Sequence, residues 1–175
     1  MHNRAAWLIE TLGLQPHPEG GYYREAFRSS LVVFSESVNT RRNAMTHIYF
    51  LLTKNQISRL HRVRHDELWI YQEGAELLIH SIDGTSHKHS ESKLGLAGER
   101  PVNLSTIEDA ALNRTEPAVI ISSNTWQAAQ SLGAFTFVSC IVAPGFEFQD
   151  FSLLKDCDEE QEAILKFWPD ALRFI

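Results

Sequence analysis

Residues 58–74 read SRLHRVRHDELWIYQEG, and two short strand patterns meet within them. Alternate residues of a strand face the same side of a sheet. The two faces predicted to point inward carry Arg59, His61 and Val63 on the first strand, and Glu67, Trp69 and Tyr71 on the second. A buried carboxylate and a buried imidazole need partners or a ligand, because burying an unpaired charge is costly. These residues therefore predict a polar site inside an otherwise apolar core.

Strand patterns extend on both sides of this segment, from residue 22 to about residue 151. Short runs of β-branched, aromatic and aliphatic residues alternate with turn residues. They occupy residues 45–52, 67–71, 76–82, 118–121 and 134–142. Asp83 and Gly84 between two runs predict a two-residue hairpin turn. Many short strands at this spacing predict a sandwich or a barrel.

Helical patterns flank the strands at both ends of the chain. Apolar residues recur at helical spacing over about residues 4–13 and again over about residues 158–168. Neither a repeat nor an interdomain linker is visible in the sequence. We therefore expect one domain over residues 1–175, with a barrel at about 22–151.

The composition excludes several classes of protein. The chain has 175 residues, 43% of them hydrophobic, and a formal net charge of −6. An acidic chain without a basic stripe lacks the electrostatic footprint of a nucleic-acid binder. No apolar run approaches the ~18 residues of a membrane span, and residues 1–7 lack the long apolar stretch of a secretory signal, so we expect none. Two widely spaced cysteines, Cys140 and Cys157, form no disulfide framework, so we expect a cytoplasmic protein.

The central segment resembles the first motif of the cupins. That motif has a His, a second His two residues later, a Glu four residues after that and a Gly seven residues further on. Here His61, Val63, Glu67 and Gly74 hold these positions, so the second histidine is missing. The second cupin motif ends in a turn of small residues followed by a His, and Gln127 stands at that place.

Further segments, in the same order, resemble the fifth cupin family. They are HPEGGYYRE at 17–25, IYFLL at 48–52, DELW at 66–69, WQAA at 126–129 and APGFEFQDF at 143–151. The resemblance covers about residues 5–155, and an extra stretch at about 98–118 departs from it. It implies an all-β fold: a double-stranded β-helix, or cupin jelly-roll barrel, with short N- and C-terminal helices, commonly dimeric. It implies no particular activity, since fold alone does not define function.

Three hypotheses for the site follow from the residues. In the first, the barrel binds a small polar or anionic metabolite and transfers a proton without a metal, as epimerases and isomerases do. Histidine exchanges a proton near neutral pH, and a guanidinium binds an anion through two hydrogen bonds. The catalytic residues would be His61, Glu67 and Tyr71; the substrate-binding residues would be Arg59, Trp69, Gln127, Trp126, Tyr49 and Phe146.

The second hypothesis is a divalent-metal-dependent cupin enzyme. His61, Glu67 and Gln127 would then bind Mn, Fe, Ni or Zn. One imidazole and one carboxylate are usual donors for such ions, and an amide oxygen is a poor replacement for the missing imidazole. We therefore expect either no cofactor or a weakly held metal.

The third hypothesis is a ligand-binding module without turnover, in which the aromatic residues line an apolar pocket. The expected partners are a small-molecule ligand and a second copy in a homodimer, with no nucleic acid and no membrane. His87 and His89 are expected on an exposed hairpin, and His80 inside a strand as an ordinary sheet residue. The loop of His17 and Glu19 is expected to be a turn, or a cover over the barrel mouth or a dimer edge.

Overall fold

The computed structural model describes residues 1–97 and 114–175. Its strands, in chain order, are β1 Gln15–Pro16, β2 Tyr22–Arg28, β3 Val32–Ser35, β4 Thr40–Asn43, β5 Thr46–Thr53, β6 Ile57–Val63, β7 Asp66–Gly74, β8 Leu77–Ile82, β9 His89–Leu94, β10 Thr115–Glu116, β11 Ala118–Ile121, β12 Trp126–Ser131, β13 Phe135–Ala143 and β14 Phe151–Leu153. They form two six-stranded sheets and the separate β3–β4 hairpin.

The strand orders of the two sheets are β1-β2-β5-β13-β7-β11 and β10-β9-β8-β12-β6-β14. Strands β6 and β7 follow each other in the chain but lie in different sheets. The all-β prediction, a double-stranded β-helix with short flanking helices, is confirmed. The turn between β6 and β7 brings the two predicted inward faces opposite each other across the barrel.

Helix α1 spans Asn3–Leu12 and helix α2 spans Asp158–Phe167. The φ angle of +62° at Gly13 ends α1 in the left-handed conformation that glycine favours. Short 3-10 helices occupy Phe148–Asp150, Leu154–Asp156 and Pro169–Phe174. The two α-helices lie where the apolar periodicity predicts them, to within two residues.

Apolar side chains form three layers. The barrel interior holds Phe50, Leu52, Trp69, Leu77, Ile79, Leu94, Ile121, Ala129, Val138 and Cys140. A second layer, which includes Leu60 and Trp126, lies outside the β6–β12–β8 sheet and beneath α2 and the C-terminal 3-10 helix. A third layer packs α1 against β5 and β13. The helices thus cover the outside of the barrel, and one end of the interior stays open.

A β-bulge changes the predicted alternation along β6. Gln127 pairs with His61 and Ala129 pairs with Ser58, so two steps of β12 oppose three steps of β6. The extra residue places Ser58 and His61 on the same inward face and leaves Arg59 at the bulge. The expectation that Arg59 and His61 share a face is therefore wrong.

Two further expectations concern connections between strands. The two-residue turn at Asp83 and Gly84 is wrong, because the loop is longer and closes through the bond from the Asp83 N–H to the carbonyl of Lys88. The Asp83 carboxylate accepts hydrogen bonds from the backbone N–H groups of Thr85 and Ser86. The extra stretch predicted at 98–118 falls largely on residues 98–113, which lie outside the described residues.

Candidate functional site

A cavity of about 340 Å³ occupies the open end of the barrel. Its lining includes His61 and Val63 from β6, Glu67 and Trp69 from β7, and Phe146 from the segment after β13. His17 and Glu19, from the loop before β2, also line it. The volume suits a small metabolite held among apolar walls and a few polar groups.

Two glycines press the His17–Glu19 loop against the barrel. Gly20 has a φ angle of +114°, and a Cβ atom there would lie 2.2 Å from the carbonyl oxygen of Ile57. At Gly21, with φ +70°, a Cβ atom would lie 2.8 Å from the carbonyl oxygen of Leu51. Only glycine permits both this backbone conformation and this close approach. The loop therefore lies tightly against β5 and β6, and the Arg59 N–H donates to the Glu19 carbonyl at 2.8 Å.

We call His17, Glu19, His61 and Glu67 the cavity cluster. Glu19 is its centre and is only 5% exposed. Its Oε2 atom lies 3.4 Å from Nδ1 of His17 and 3.3 Å from Nε2 of His61. Its other carboxylate oxygen accepts a 2.7 Å hydrogen bond from the Ser58 hydroxyl. One carboxyl group therefore joins two imidazoles that are 44 residues apart in the chain.

The hydrogen bonds of His61 determine which nitrogen faces Glu19 as an acceptor. Nδ1 lies 2.7 Å from the Arg59 carbonyl oxygen. A carbonyl only accepts, so Nδ1 carries the hydrogen. Nε2 of the neutral ring then presents its lone pair to Glu19. Two lone pairs repel, so the 3.3 Å contact needs a proton on one of the two groups.

Glu67 lies on the opposite strand of the cavity and is 6% exposed. Gln127 holds it, because its Nε2 donates to Glu67 at 2.5 Å while its Oε1 accepts from the Trp69 indole at 3.0 Å. Burial raises the pKa of Glu67 to about 7, and Glu19 raises it further against the opposing effect of His61. At neutral pH this carboxyl group therefore exchanges a proton readily.

Burial also shifts the other members of the cavity cluster. It raises the pKa of Glu19, although His17 and the Ser58 hydroxyl oppose the change. It lowers the pKa of His61 and of His17, although the neighbouring carboxylates oppose that change. The pKa values of the carboxyl groups and of the imidazoles thus become more similar, which favours proton sharing among them.

Two arginines of β2 lie near the mouth of the cavity. Arg28 forms ion pairs with Glu25 and Glu147 at 2.8 and 2.7 Å. Arg24 is exposed and packs over the Tyr49 ring, with its guanidinium carbon 5.5 Å from the ring centroid. Within residues 1–97 and 114–175, no carboxylate lies within 4.0 Å of the Arg24 side-chain nitrogens. Arg24 and Tyr49 are direct partners across β2 and β5, so the Arg24 guanidinium lies with Tyr49 on the outer face, and Arg28 is the cation at the mouth.

The structure brings together part of the predicted site. His61, Glu67, Trp69 and Phe146 all line the cavity. Gln127 is buried directly behind Glu67 and Trp69, which it orients. These positions agree with the roles that the sequence assigns to them, and those roles remain predictions.

Besides Gln127, four predicted residues lie outside the cavity lining. Arg59 is at the bulge, and its side chain reaches back to the Glu19 carbonyl at 3.4 Å. Tyr71 packs toward the closed end, and its hydroxyl donates to the Gly74 carbonyl. Tyr49 packs outside the barrel near α1, because it alternates with the inward Ile48 and Phe50. Trp126 lies in the layer under α2, where its indole donates to Glu160, a residue that also binds Arg62.

The predicted metal ligands do not converge. The oxygen of Gln127 accepts from Trp69, and its amide nitrogen faces Glu67. In the part of the chain that the structure describes, one group of three or more His, Cys, Asp or Glu residues has all its ligand atoms within 4.8 Å of one another, and it lies outside this cavity. His61, Glu67 and Gln127 therefore do not fit a metal ion as arranged.

The sequence predicted the loop of His17 and Glu19 as a turn or a cover over the barrel mouth or a dimer edge, but missed that these two side chains belong to the site. They are more than 40 residues from His61, and no strand periodicity connects them to it. The adjacent pair Gly20 and Gly21 was the available signal, because consecutive glycines after polar residues mark a close approach of the backbone.

Comparison with known proteins identifies the class of barrel. The family described as "Cupin superfamily (DUF985)" matches residues 6–154. The chain belongs to this family, as the segments at 17–25 and 61–69 imply. No curated protein matches it.

Solved structures agree with this assignment. A hypothetical protein from Leishmania major is 29% identical, with a TM-score of 0.72 over 93% of this chain and 96% of that one. Protein SO0799 from Shewanella oneidensis is 30% identical, with a TM-score of 0.72 over 97% and 92%. The oxalate decarboxylase of Bacillus subtilis shares the fold at 14% identity, with a TM-score of 0.55 over 88% of this chain and 34% of its own. None of the described helices combines the length and apolar character of a membrane span.

Proposed function

We propose that the barrel binds a small polar or anionic metabolite and transfers a proton on it without a metal. One observation carries the proposal: Glu19 joins two buried imidazoles at the wall of a cavity that also contains Glu67. Proton transfer is most efficient between groups whose pKa lies near the working pH. The pKa of Glu67, raised to about 7, meets that condition.

The chemistry that fits is the shift of a proton next to a carbonyl group, as in sugar or keto-acid isomerisation. The His61–Glu19 pair accepts the proton from carbon as the carbonyl oxygen takes the proton of Glu67. Return of a proton to the other carbon or the other face, with Glu67 recovering its own, completes the isomerisation. The Glu19 carboxyl group lies within 3.4 Å of both His17 and His61, and its negative charge stabilises the positive charge that His61 gains.

Arg28 is the cation that an anionic substrate would meet at the cavity mouth. It pairs there with Glu25 and Glu147, whereas Arg59, the cation that the sequence pointed to, contacts the Glu19 carbonyl outside the lining. A guanidinium binds a carboxylate or phosphate through paired hydrogen bonds. The substrate class is therefore a small sugar acid, keto acid or phosphorylated sugar.

Exchange of substrate hydrogens in D₂O tests the proposal. We expect the purified protein to incorporate deuterium into one member of a panel of small sugar acids and keto acids, measured by NMR. His61→Gln and Glu67→Gln should each reduce the exchange rate by at least ~100-fold, the usual contribution of a general acid or base. His47→Gln is the matched control, because His47 packs on Tyr49 outside the cavity lining.

The two alternatives give different results in the same experiment. Exchange that stops after chelation and returns with Mn, Fe, Ni or Zn would support the metal-dependent enzyme and overturn our proposal. A rise in melting temperature with a panel ligand, without exchange, would support the binding module, because a ligand selective for the folded state stabilises it. The side-chain oxygen of Gln127 accepts a hydrogen bond from Trp69, and its nitrogen donates to Glu67. This arrangement favours the metal-free reaction over the metal-dependent enzyme.

We also propose a homodimer in the cytoplasm. Leu31, Val32 and Phe34 at the start of the β3–β4 hairpin are 65%, 51% and 61% exposed, and exposed apolar groups of this kind often mark interfaces. Sedimentation should give twice the chain mass, and Phe34→Ser should shift it toward the monomer. Both cysteines are free thiols, as the reducing cytoplasm favours.

A further inference from the structure

A second group of histidines lies on the outer face of the β8–β9 hairpin. His80 stands directly opposite Glu91 in the antiparallel pair, and His89 precedes Glu91 by two residues on the same face of β9. We call His80, His89 and Glu91 the outer cluster. We propose that the outer cluster binds one divalent transition-metal ion of the zinc, nickel or copper type.

The distances match the edges of a tetrahedral site. Nδ1 of His80 lies 3.1 Å from Nε2 of His89 and 3.4 Å from Oε1 of Glu91. Zinc bonds of about 2.0 to 2.1 Å place neighbouring tetrahedral ligands about 3.3 Å apart. All three ligand atoms lie within 4.8 Å of one another. An ion therefore needs only small side-chain adjustments to enter between them.

The donors suit a borderline transition metal rather than calcium or magnesium. Two imidazole nitrogens and one carboxylate oxygen select zinc, nickel or copper, whereas calcium and magnesium take oxygen ligands. Burial keeps His80 unprotonated, with its pKa lowered to about 4, and burial also lowers the pKa of His89. At neutral pH the ion therefore displaces few protons, which favours binding.

The C-terminal segment covers one side of the outer cluster. The Trp168 ring stacks on His89 with centroids 4.1 Å apart and an angle of 12°. Phe174 packs against His80 at 4.8 Å. The Glu91 side chain is 55% exposed, so the site stays open to water on the other side. A bound ion would thus lie close to Trp168, whose fluorescence can report on binding.

The outer cluster is separate from the cavity cluster. His80 pairs with Ala128, a member of the apolar layer under α2, whereas its neighbour Ile79 belongs to the barrel interior. The ion and the cavity ligand would therefore lie on opposite faces of the same sheet. The two clusters make no direct contact, so a substitution in one should leave the other intact.

Zinc titration of the full chain, after chelator treatment, tests the proposal. Calorimetry should show one zinc site in the wild type. His89→Ala and Glu91→Gln each remove a ligand side chain and should lower the zinc affinity by at least ~10-fold. His87→Ala and His61→Gln should bind like the wild type. His87 is the matched control, because it lies on the same hairpin but stacks on Phe167.

Tryptophan fluorescence provides a second measurement. Copper should quench the wild-type emission with the stoichiometry of one site, and Trp168→Phe should remove most of that quenching while zinc still binds. Circular dichroism checks that each variant is folded. No zinc binding by the wild type at 100 μM would overturn the proposal, and so would binding that survives in both His89→Ala and Glu91→Gln or disappears in His61→Gln.

Discussion

The cavity cluster and the outer cluster contain the same residue types in opposite surroundings. In the cavity cluster both carboxyl groups are almost fully buried, at 5% and 6% exposure. In the outer cluster the buried member is an imidazole, His80, and the carboxylate of Glu91 is more than half exposed. The first cluster joins a loop and two strands from different sheets, whereas the second belongs to one hairpin.

The position of the carboxyl group explains the difference in chemistry. Burial makes Glu67 hold its proton to about pH 7, so the cavity cluster handles protons. The Glu91 carboxylate remains exposed to water, and the buried His80 imidazole beside it stays neutral. The outer cluster therefore presents unprotonated ligands to a cation. Residue identity alone therefore does not decide between acid–base chemistry and metal binding.

Gly20→Ala should break the cavity cluster and leave the outer cluster intact. The φ angle of +114° and the 2.2 Å approach to the Ile57 carbonyl force the loop away from the barrel. We expect a loss of roughly 3 to 5 kcal/mol in the free energy of unfolding from strain and displaced packing, measured in urea. Ligand binding in the cavity should disappear while zinc binding persists.

Gly13→Ala is the control for that experiment. Gly13 also has a positive φ, +62°, but a Cβ atom there meets nothing within 4 Å. The cost should be about 1 to 2 kcal/mol, that of the left-handed backbone alone. If the two variants lose the same stability, the close contact of the loop with β6 has no energetic weight.

Glu67→Gln should remove a pH dependence that belongs to the cavity cluster. The pKa of Glu67 is about 7 in the folded protein against 4.5 unfolded, so its contribution to stability is complete below pH 4.5 and is lost as pH rises through 7. This difference corresponds to about 3 kcal/mol. Relative to the wild type, Glu67→Gln should therefore gain stability in urea between pH 4.5 and pH 8.

Glu73→Gln is the control on the same strand. Its carboxylate is exposed and pairs with Arg4, which lowers its pKa. This variant should not gain stability toward pH 8. Equal profiles for the two variants would mean that burial does not hold the proton on Glu67.

His80→Gln should remove a pH dependence of the opposite sign, in which stability is lost as pH falls. Burial lowers the pKa of His80 from 6.5 to about 4, so its contribution is present above pH 6.5 and is lost as pH falls through 4. In metal-free buffer the wild type should lose about 1 kcal/mol more than the variant over this range, a value reduced because solvent screens the charges. If both proteins lose the same stability as pH falls from 6.5 to 4, the contrast between the two clusters is wrong.

Arg24→Ala should produce the smallest effect. The exposed guanidinium should affect stability by less than about 0.5 kcal/mol, and its charge lies near the cavity on the outer face of β2. Affinity for small carboxylates and phosphates should fall several-fold and depend on salt, because a rim charge acts mainly by attraction in solution. Arg59→Ala, at the bulge, is the comparison, and a larger loss of affinity there would restore the role that the sequence assigned to Arg59.

Local pattern predicted much of the barrel and half of the cavity cluster. The spacing of His61 and Glu67 within one segment indicated a shared site, and Trp69 followed from the alternation along β7. The same alternation failed for Arg59, because the β-bulge depends on the pairing with β12. It failed for Tyr71 because a residue on the correct face can still lie at the closed end of the barrel.

The sequence by itself determined the family, the strand-rich fold with its flanking helices, and the central pair His61 and Glu67, because these depend on short-range periodicity and motif spacing. Only the tertiary structure decided that His17 and Glu19 complete the cavity cluster and that His80 meets Glu91 and His89 outside it. These contacts join residues from separate elements, and their burial, which shifts the pKa values, exists only once the sheets have closed.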